Sequence, residues 1–221
     1  MQAIAKGLPK SLIPIKNRPF LHYQLASLAK QGVQEVVLSI GYGGDQIERY
    51  AEDGRAWGLH IQYVKEQELL GTGGALRLAF DQGRLESRFF VLYGDSFLPI
   101  EWRPVWTFFE TRTEPALMVV YKNEGQWDKS NVLFDDQKVS CYDKKYPTDK
   151  MAYIDYGLSV LRPIAIEQGI PPKSAYDLAD LFHKLSERGK LAGFEAKTRF
   201  YEIGSPEGLK HFTDYLSTSS L

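Results

Sequence analysis

The chain has 221 residues, 43% of them hydrophobic and 13% aromatic, enough apolar content for one packed α/β domain rather than a disordered chain. Lys and Arg total 27 against 28 Asp and Glu, and the net charge of -1 gives no general basic field, which argues against nucleic acid as a partner. Cys141 is the only cysteine, the four histidines (His22, His60, His183, His211) lack metal-ligand spacing, and neither a membrane-length apolar run nor a signal peptide is seen, so the expectation is a cytoplasmic protein without a membrane span.

Pro19-Phe20-Leu21 opens a helix with Leu21, Leu25 and Leu28 on one face, stopped by Gly32. Glu35 to Ile40 is a short, mostly β-branched run, read as a buried parallel strand. A Gly41-Tyr-Gly-Gly44 turn follows, and Asp45 begins the next helix. Leu59, Ile61 and Tyr63 alternate with polar residues as a second strand. Gly71-Thr-Gly-Gly74 leads into a helix carrying Leu76, Leu78 and Phe80. Phe89 to Tyr93 is a third buried strand, ending in Gly94-Asp95-Ser96. This alternation predicts a doubly wound, mostly parallel sheet with helices on both faces, a Rossmann-like three-layer sandwich.

The stretch from Trp102 to Phe109 reads either as core or as a self-association surface, which leaves a homo-oligomer open. Strands with short connections are expected at Ala116 to Tyr121, Asn131 to Phe134, Val139 to Tyr142 and Ile154 to Leu161. A helix follows Asp177, an aspartate suited to the N-cap, and another begins at Ser205-Pro206-Glu207. With no repeat, low-complexity tract or long linker, residues 1–221 are expected to form a single domain.

Ligands of such sheets sit outside the carboxyl ends of the strands, where Asp95 and the 71–74 glycines fall. Asp95 at a strand tip suits Mg²⁺, a hard cation with oxygen ligands; it could equally be a turn or cap aspartate. The glycines read as a ligand-facing loop or as a tight turn, matching neither a P-loop nor a dinucleotide fingerprint. Lys10, between Pro9 and Pro14, and the Asp143-Lys144-Lys145 run read as phosphate contacts or as solvated surface.

In order, Pro9-Lys-Ser-Leu-Ile-Pro14, Leu70-Gly-Thr-Gly-Gly-Ala-Leu76, Tyr93-Gly-Asp95, Asp143-Lys144 and Tyr201-Glu-Ile-Gly-Ser-Pro-Glu207 form a series. It resembles the sugar-1-phosphate nucleotidyltransferase family from about Leu8 to the end, above all the bacterial branches that activate mannose-, heptose- or glucose-type sugar phosphates. The resemblance implies a nucleotide-diphospho-sugar transferase-like fold, with a nucleotide-binding part over about 1–100 and a sugar-phosphate-binding part over about 101–221. It also implies roles. Lys10 contacts the nucleotide phosphates, and Gly71, Thr72 and Gly73, with Glu66 or Glu68 upstream, hold the base and ribose. Asp95 binds Mg²⁺, with Glu202 as second ligand where the family usually has an aspartate. Lys144 grips the sugar phosphate, Asn131 and Gly157 line the sugar pocket, and Lys10, Asp95 and Lys144 form the catalytic set. Asp155, in Tyr153-Ile-Asp155-Tyr-Gly157, either accepts hydrogen bonds from sugar hydroxyls or satisfies a neighbouring backbone donor, and Trp127 either lines the pocket or covers a loop.

The implied reaction is attack of a sugar 1-phosphate on the α-phosphorus of a nucleoside triphosphate, with pyrophosphate leaving. It calls for positioning and charge neutralisation more than for a general base. The family opens with a strand and a Gly-Gly-x-Gly-Thr-Arg-Leu loop around the triphosphate, whereas here Met1-Gln2-Ala3 runs directly into Ile4-Ala-Lys-Gly-Leu-Pro9. About a dozen residues, a strand and the loop, are expected to be missing there through a deletion, a replacement or a loss from the sequence as read. That expectation opens a second reading, a catalytically silent homologue that binds sugar phosphate or nucleotide sugar. A third, a nucleotide-sugar-dependent glycosyltransferase, ranks last because Gly-Asp-Ser stands where an Asp-x-Asp motif is usual. No left-handed β-helix repeat is seen, so a fused acyltransferase is not expected.

Overall fold

A computed structural model describes residues 7–218. In chain order the strands are β1 (Pro14–Ile15), β2 (Arg18–Pro19), β3 (Glu35–Ile40), β4 (His60–Lys65), β5 (Phe89–Leu92), β6 (Ser96–Phe97), β7 (Ala116–Lys122), β8 (Val132–Asp135), β9 (Lys138–Tyr142), β10 (Tyr153–Leu161), β11 (Leu191–Ala196) and β12 (Tyr201–Glu202). The α-helices are α1 (Phe20–Lys30), α2 (Gly44–Ala51), α3 (Gly71–Asp81), α4 (Trp102–Glu110), α5 (Pro163–Gly169), α6 (Leu178–Glu187) and α7 (Pro206–Thr218). The described residues are α/β and divide into two compact units that interleave in sequence: residues 7–68, 93–97 and 200–218, and residues 69–92 and 98–199.

In the first unit β3 and β4 pair in parallel, register Glu35 to His60 through Ile40 to Lys65, but β3, expected to be buried, is covered fully only at Ile40, and β5 is likewise half-buried. α1 packs on them: Leu21 and Leu25 join Leu12, Ala51, Leu59 and Ile61 in one buried cluster. Gly32, at φ 79, ends α1 in the left-handed conformation that glycine adopts without steric cost. A second cluster gathers Ile15, Phe20, Phe97, Ile203 and Phe212, with Phe212 edge-on to Phe20 at 5.2 Å between centroids. This cluster seats α7 against the short antiparallel pair β6–β12.

The second unit holds a six-stranded sheet in the order β5-β10-β7-β11-β9-β8. β7 is buried from Ala116 to Val120, as a strand covered on both faces must be. The sheet is mixed: β7 and β11 run parallel, whereas β10 is antiparallel to both β5 and β7. A mostly parallel sheet running through β3, β4 and β5 is therefore not what the described residues form, since β5 pairs with β10. The two-residue Asp136-Gln137 connection permits β8 and β9 only an antiparallel pairing, whereas β10 pairs antiparallel with β5 and β7 across long sequence separations, a long-range choice that the alternation of elements does not encode. The β8–β9 hairpin turns on Asp136 and Gln137, both at positive φ, as a tight hairpin requires. The helices α5 and α6 lie in the connection from β10 to β11, which stand on either side of β7 in the sheet. The aromatic stretch at 102–109 forms α4 and contributes Trp102, Val105 and Phe109 to the buried core. No helix among the described residues is long and apolar enough to cross a membrane.

Candidate functional site

In the first unit the turn after β5 is held from two sides. Gln24 is 5% exposed on α1, and its Nε2 donates to the carbonyls of Tyr93 (3.1 Å) and Ser96 (2.8 Å), one on either side of Gly94-Asp95. On the other side the Ile203 N–H donates to the Asp95 carbonyl at 3.0 Å, and Glu202 sits opposite Ser96 in the β6–β12 register. Asp95 and Glu202, far apart in sequence, are thereby brought together. Their carboxylate oxygens lie 3.7 and 3.6 Å from the point where Gly204 would carry a Cβ.

The donor set suits a hard divalent cation. Both groups are carboxylates, and each has an oxygen within 4 Å of the same point beside Gly204. No group of three or more His, Cys, Asp or Glu that could hold a metal occurs among the described residues. Two protein oxygens are what Mg²⁺ commonly takes, the remaining positions going to water and substrate phosphates. Ser205 caps α7 just beyond, its Oγ accepting from the Gly208 N–H at 3.0 Å, so the helix start fixes the segment that carries Glu202.

Lys10 lies in the same unit, exposed on a short 3₁₀ turn (Lys10–Leu12) whose preceding Pro9 is buried. Gly43 packs on that proline so closely that a Cβ there would come within 2.6 Å of its ring. Lys10 makes no ion pair among the described residues. Glu66, half-buried, donates its N–H to Ile40 at 2.9 Å and borders a shallow cleft with Gly41, Gly43 and Lys65; Glu68 is exposed.

In the second unit the 71–74 glycines form the first turn of α3 rather than a loop ahead of it. The N–H groups of Gly73 and Gly74 both donate to the Tyr176 carbonyl, at 2.9 and 3.1 Å, so a ligand does not find these two donors free. The Thr72 hydroxyl donates to Asp177 Oδ1 at 3.1 Å and accepts from the Leu178 N–H at 2.9 Å.

Asn131, Asp155 and Gly157 are also brought together in this unit. Asn131 Oδ1 accepts from the Asp155 N–H at 3.1 Å, and Asp155 Oδ1 accepts from the Gly157 N–H at 2.9 Å. Of the two readings of Asp155, the local one is realised by Oδ1. Gly157, at φ 87, sits in a bulge of β10 where the pairing with β7 shifts register. Asp143 makes a turn, its Oδ1 accepting from the N–H groups of Lys145 and Tyr146, both at 2.8 Å. Lys145 is held by Asp180 at 2.6 Å, a hydrogen bond that pushes its pKa up, whereas Lys144 is exposed and without an ion pair among the described residues. Trp127 stacks under the Arg199 guanidinium, 3.4 Å from its ring centroid.

Residues 1–213 match the family described as "Nucleotidyl transferase". The chain belongs to that family. It is 29% identical over 209 residues to D-glycero-alpha-D-manno-heptose 1-phosphate guanylyltransferase of Aneurinibacillus thermoaerophilus, covering 94% of this chain and 89% of the relative. The protein of the same description from Campylobacter jejuni is 29% identical over 216 residues, covering 96% and 92%. Among solved structures, the inositol-1-phosphate CTP transferase from T. maritima superimposes with a TM-score of 0.81 at 21% identity, covering 98% of this chain and 89% of that one. At that identity the likeness concerns the fold. The expectation of a missing strand and loop in this nucleotidyl transferase falls largely on residues 1–6, which lie outside the described residues.

Sequence reading passed over Gln24, Tyr176 and Asp177 as parts of the candidate site. Gln24 did carry a signal, a polar residue beside Leu21 and Leu25 on the buried face of α1. Tyr176 acts through its backbone carbonyl, which any residue possesses.

Proposed function

We propose that the chain transfers a nucleoside monophosphate from a nucleoside triphosphate to a sugar 1-phosphate, giving a nucleotide sugar and pyrophosphate. The approach of the Asp95 and Glu202 carboxylates to one point beside Gly204 carries this reading, because phosphoryl chemistry between two anions needs well-placed charge more than a proton acceptor. An oxygen of the sugar phosphate bonds to the α-phosphorus, the bond from that phosphorus to the bridging oxygen breaks, and pyrophosphate takes the electron pair.

Asp95 and Glu202 are the residues that would hold Mg²⁺, whose chemistry when bound is charge neutralisation on the phosphates. Lys10 binds the triphosphate, and Glu68, Gly71, Thr72 and Gly73 serve base and ribose. Gly73 contributes by shaping the turn, since its N–H already bonds to Tyr176 and the place of a Cβ is taken by the Tyr176 ring. Lys144 binds the sugar phosphate, and Asn131, Asp155 and Gly157 shape the sugar subsite. The guanylyltransferase relatives support GTP with a manno-configured sugar 1-phosphate as the first pair to test. The same reading takes residues 1–221 as one nucleotidyltransferase-like domain on a nucleotide-diphospho-sugar transferase-like fold, working in the cytoplasm.

The test is pyrophosphate release by the purified chain with Mg²⁺, each nucleoside triphosphate, and mannose, manno-heptose or glucose 1-phosphate. Release should require both substrates. Asp95→Ala should lower kcat/KM on the order of 100- to 1,000-fold, the scale of removing one electrostatic element of a transfer site. Full activity in that variant, or no release with any pair, would sink the proposal.

A further inference from the structure

We propose that the segment 174–178 is a clamp that sets the conformation of the 71–74 glycine turn, with Asp177 as a positioning residue for nucleotide binding; this rests on the nucleotidyl-transfer reading. Three kinds of contact meet at this place. The backbones are tied reciprocally: the Tyr176 carbonyl accepts from Gly73 and Gly74, and the Tyr176 N–H donates to the Leu70 carbonyl at 2.8 Å. The fit is steric as well. A Cβ on Gly71 would lie 2.8 Å from the Tyr176 carbonyl oxygen, one on Gly73 2.8 Å from the Tyr176 ring, and one on Gly74 2.7 Å from the Ser174 carbonyl oxygen. The glycines are thus required by the approach of this segment, before any ligand is considered. Finally, Lys184 donates from Nζ to the Tyr176 hydroxyl at 2.9 Å, and so holds the ring against the turn.

Asp177 links the two elements. Its Oδ1 accepts from the Ala179 N–H at 2.9 Å as the N-cap of α6, and the same oxygen accepts from the Thr72 hydroxyl. One carboxylate therefore starts a helix and pins the second residue of the glycine turn. The cap alone would be met by many side chains, since serine, threonine, asparagine and aspartate all cap well. Reaching Thr72 as well demands the length of Asp or Asn. A turn so pinned presents Gly71 and Thr72 in one conformation and so avoids an ordering cost when nucleotide binds.

The two roles separate by substitution in the full chain, assayed with GTP and manno-heptose 1-phosphate. Asp177→Ser keeps a capping hydroxyl but is too short for Thr72, whereas Asp177→Asn keeps the Oδ1 acceptor for both bonds. Asp177→Ser should raise KM for GTP roughly three- to tenfold, at most the factor for one lost hydrogen bond, with KM for the sugar phosphate unchanged and the Tm lowered by no more than about 6 °C. Asp177→Asn should behave as the unmodified chain. Hydrogen exchange should show faster exchange of the Gly73 and Gly74 amides in Asp177→Ser. Unaltered GTP kinetics in Asp177→Ser, or equal losses for both substrates together with a larger fall in Tm, would overturn the positioning role. Absence of transfer by the unmodified chain would instead overturn the functional reading and nucleotide positioning with it. Exchange then judges the clamp alone, and unchanged amide protection in Asp177→Ser refutes it.

Discussion

Replacing Gln24 by methionine tests how the Asp95 turn is held. Methionine has nearly the same length and shape, so the core around Leu21 and Leu25 keeps its packing while both side-chain donations disappear. The carbonyls of Tyr93 and Ser96 then lose the donor that joined them, at 3.1 and 2.8 Å in the native chain. Tyr93 retains a 3.2 Å bond from the Ser96 N–H, so the loss falls mainly on Ser96. At about 1–3 kcal/mol for each buried acceptor left short, and less where a partner remains, the cost is roughly 2–4 kcal/mol. For a chain of this size that lowers Tm by roughly 4–16 °C. Asp95 sits inside the released turn, so kcat for pyrophosphate release should fall on the order of 10- to 100-fold through misplacement of the carboxylate. Thermal unfolding and steady-state kinetics on the same preparation give both numbers. Gln24→Glu sharpens the test. The introduced carboxyl can donate only while protonated, so burial against two carbonyls raises its folded pKa above the unfolded value of about 4.3. That variant should be nearest to native stability in acid and lose stability as pH rises above this value. Native Tm and native kcat in Gln24→Met would refute the reasoning.

Lys144→Met should raise KM for the sugar 1-phosphate roughly 10- to 100-fold, the scale of one charge-assisted hydrogen bond, and leave KM for the nucleoside triphosphate in place; equal shifts in both constants would remove Lys144 from the sugar-phosphate role. Glu114 tests a structural charge: the Arg112 guanidinium, 2.8 Å away, holds its carboxyl below the ordinary value of 4.5. Its stabilisation is fully present above that pH and is lost as pH falls through the lowered value. Glu114→Gln should therefore flatten the acid limb of the Tm-versus-pH curve below about pH 4.5 and lower Tm modestly at neutral pH, as followed by thermal melts across the range.

Much of the element structure was legible because its causes are local. The apolar spacing of Leu21 and Leu25, the β-branched run at 35–40, the Asp177 cap and the Ser205-Pro206 start all act within a few residues, and each element formed where those signals stand. Among the candidate site residues, Asp95 was legible as a carboxylate at a strand tip, and Glu202 only through resemblance. The partners were not legible. That β5 joins β10 instead of extending β3 and β4, that Asp95 and Glu202 meet beside Gly204, and that Tyr176 takes the N–H groups of the glycine turn are facts of tertiary pairing. Periodicity reports which face of an element is buried, never against what, and a main-chain acceptor leaves no trace in the residue type that carries it. The sequence alone therefore determined where many of the helices and strands lie and which residues are candidates for the chemistry, while missing β11 and α5. Only the fold decided which of them stand together and which backbone groups remain for a ligand.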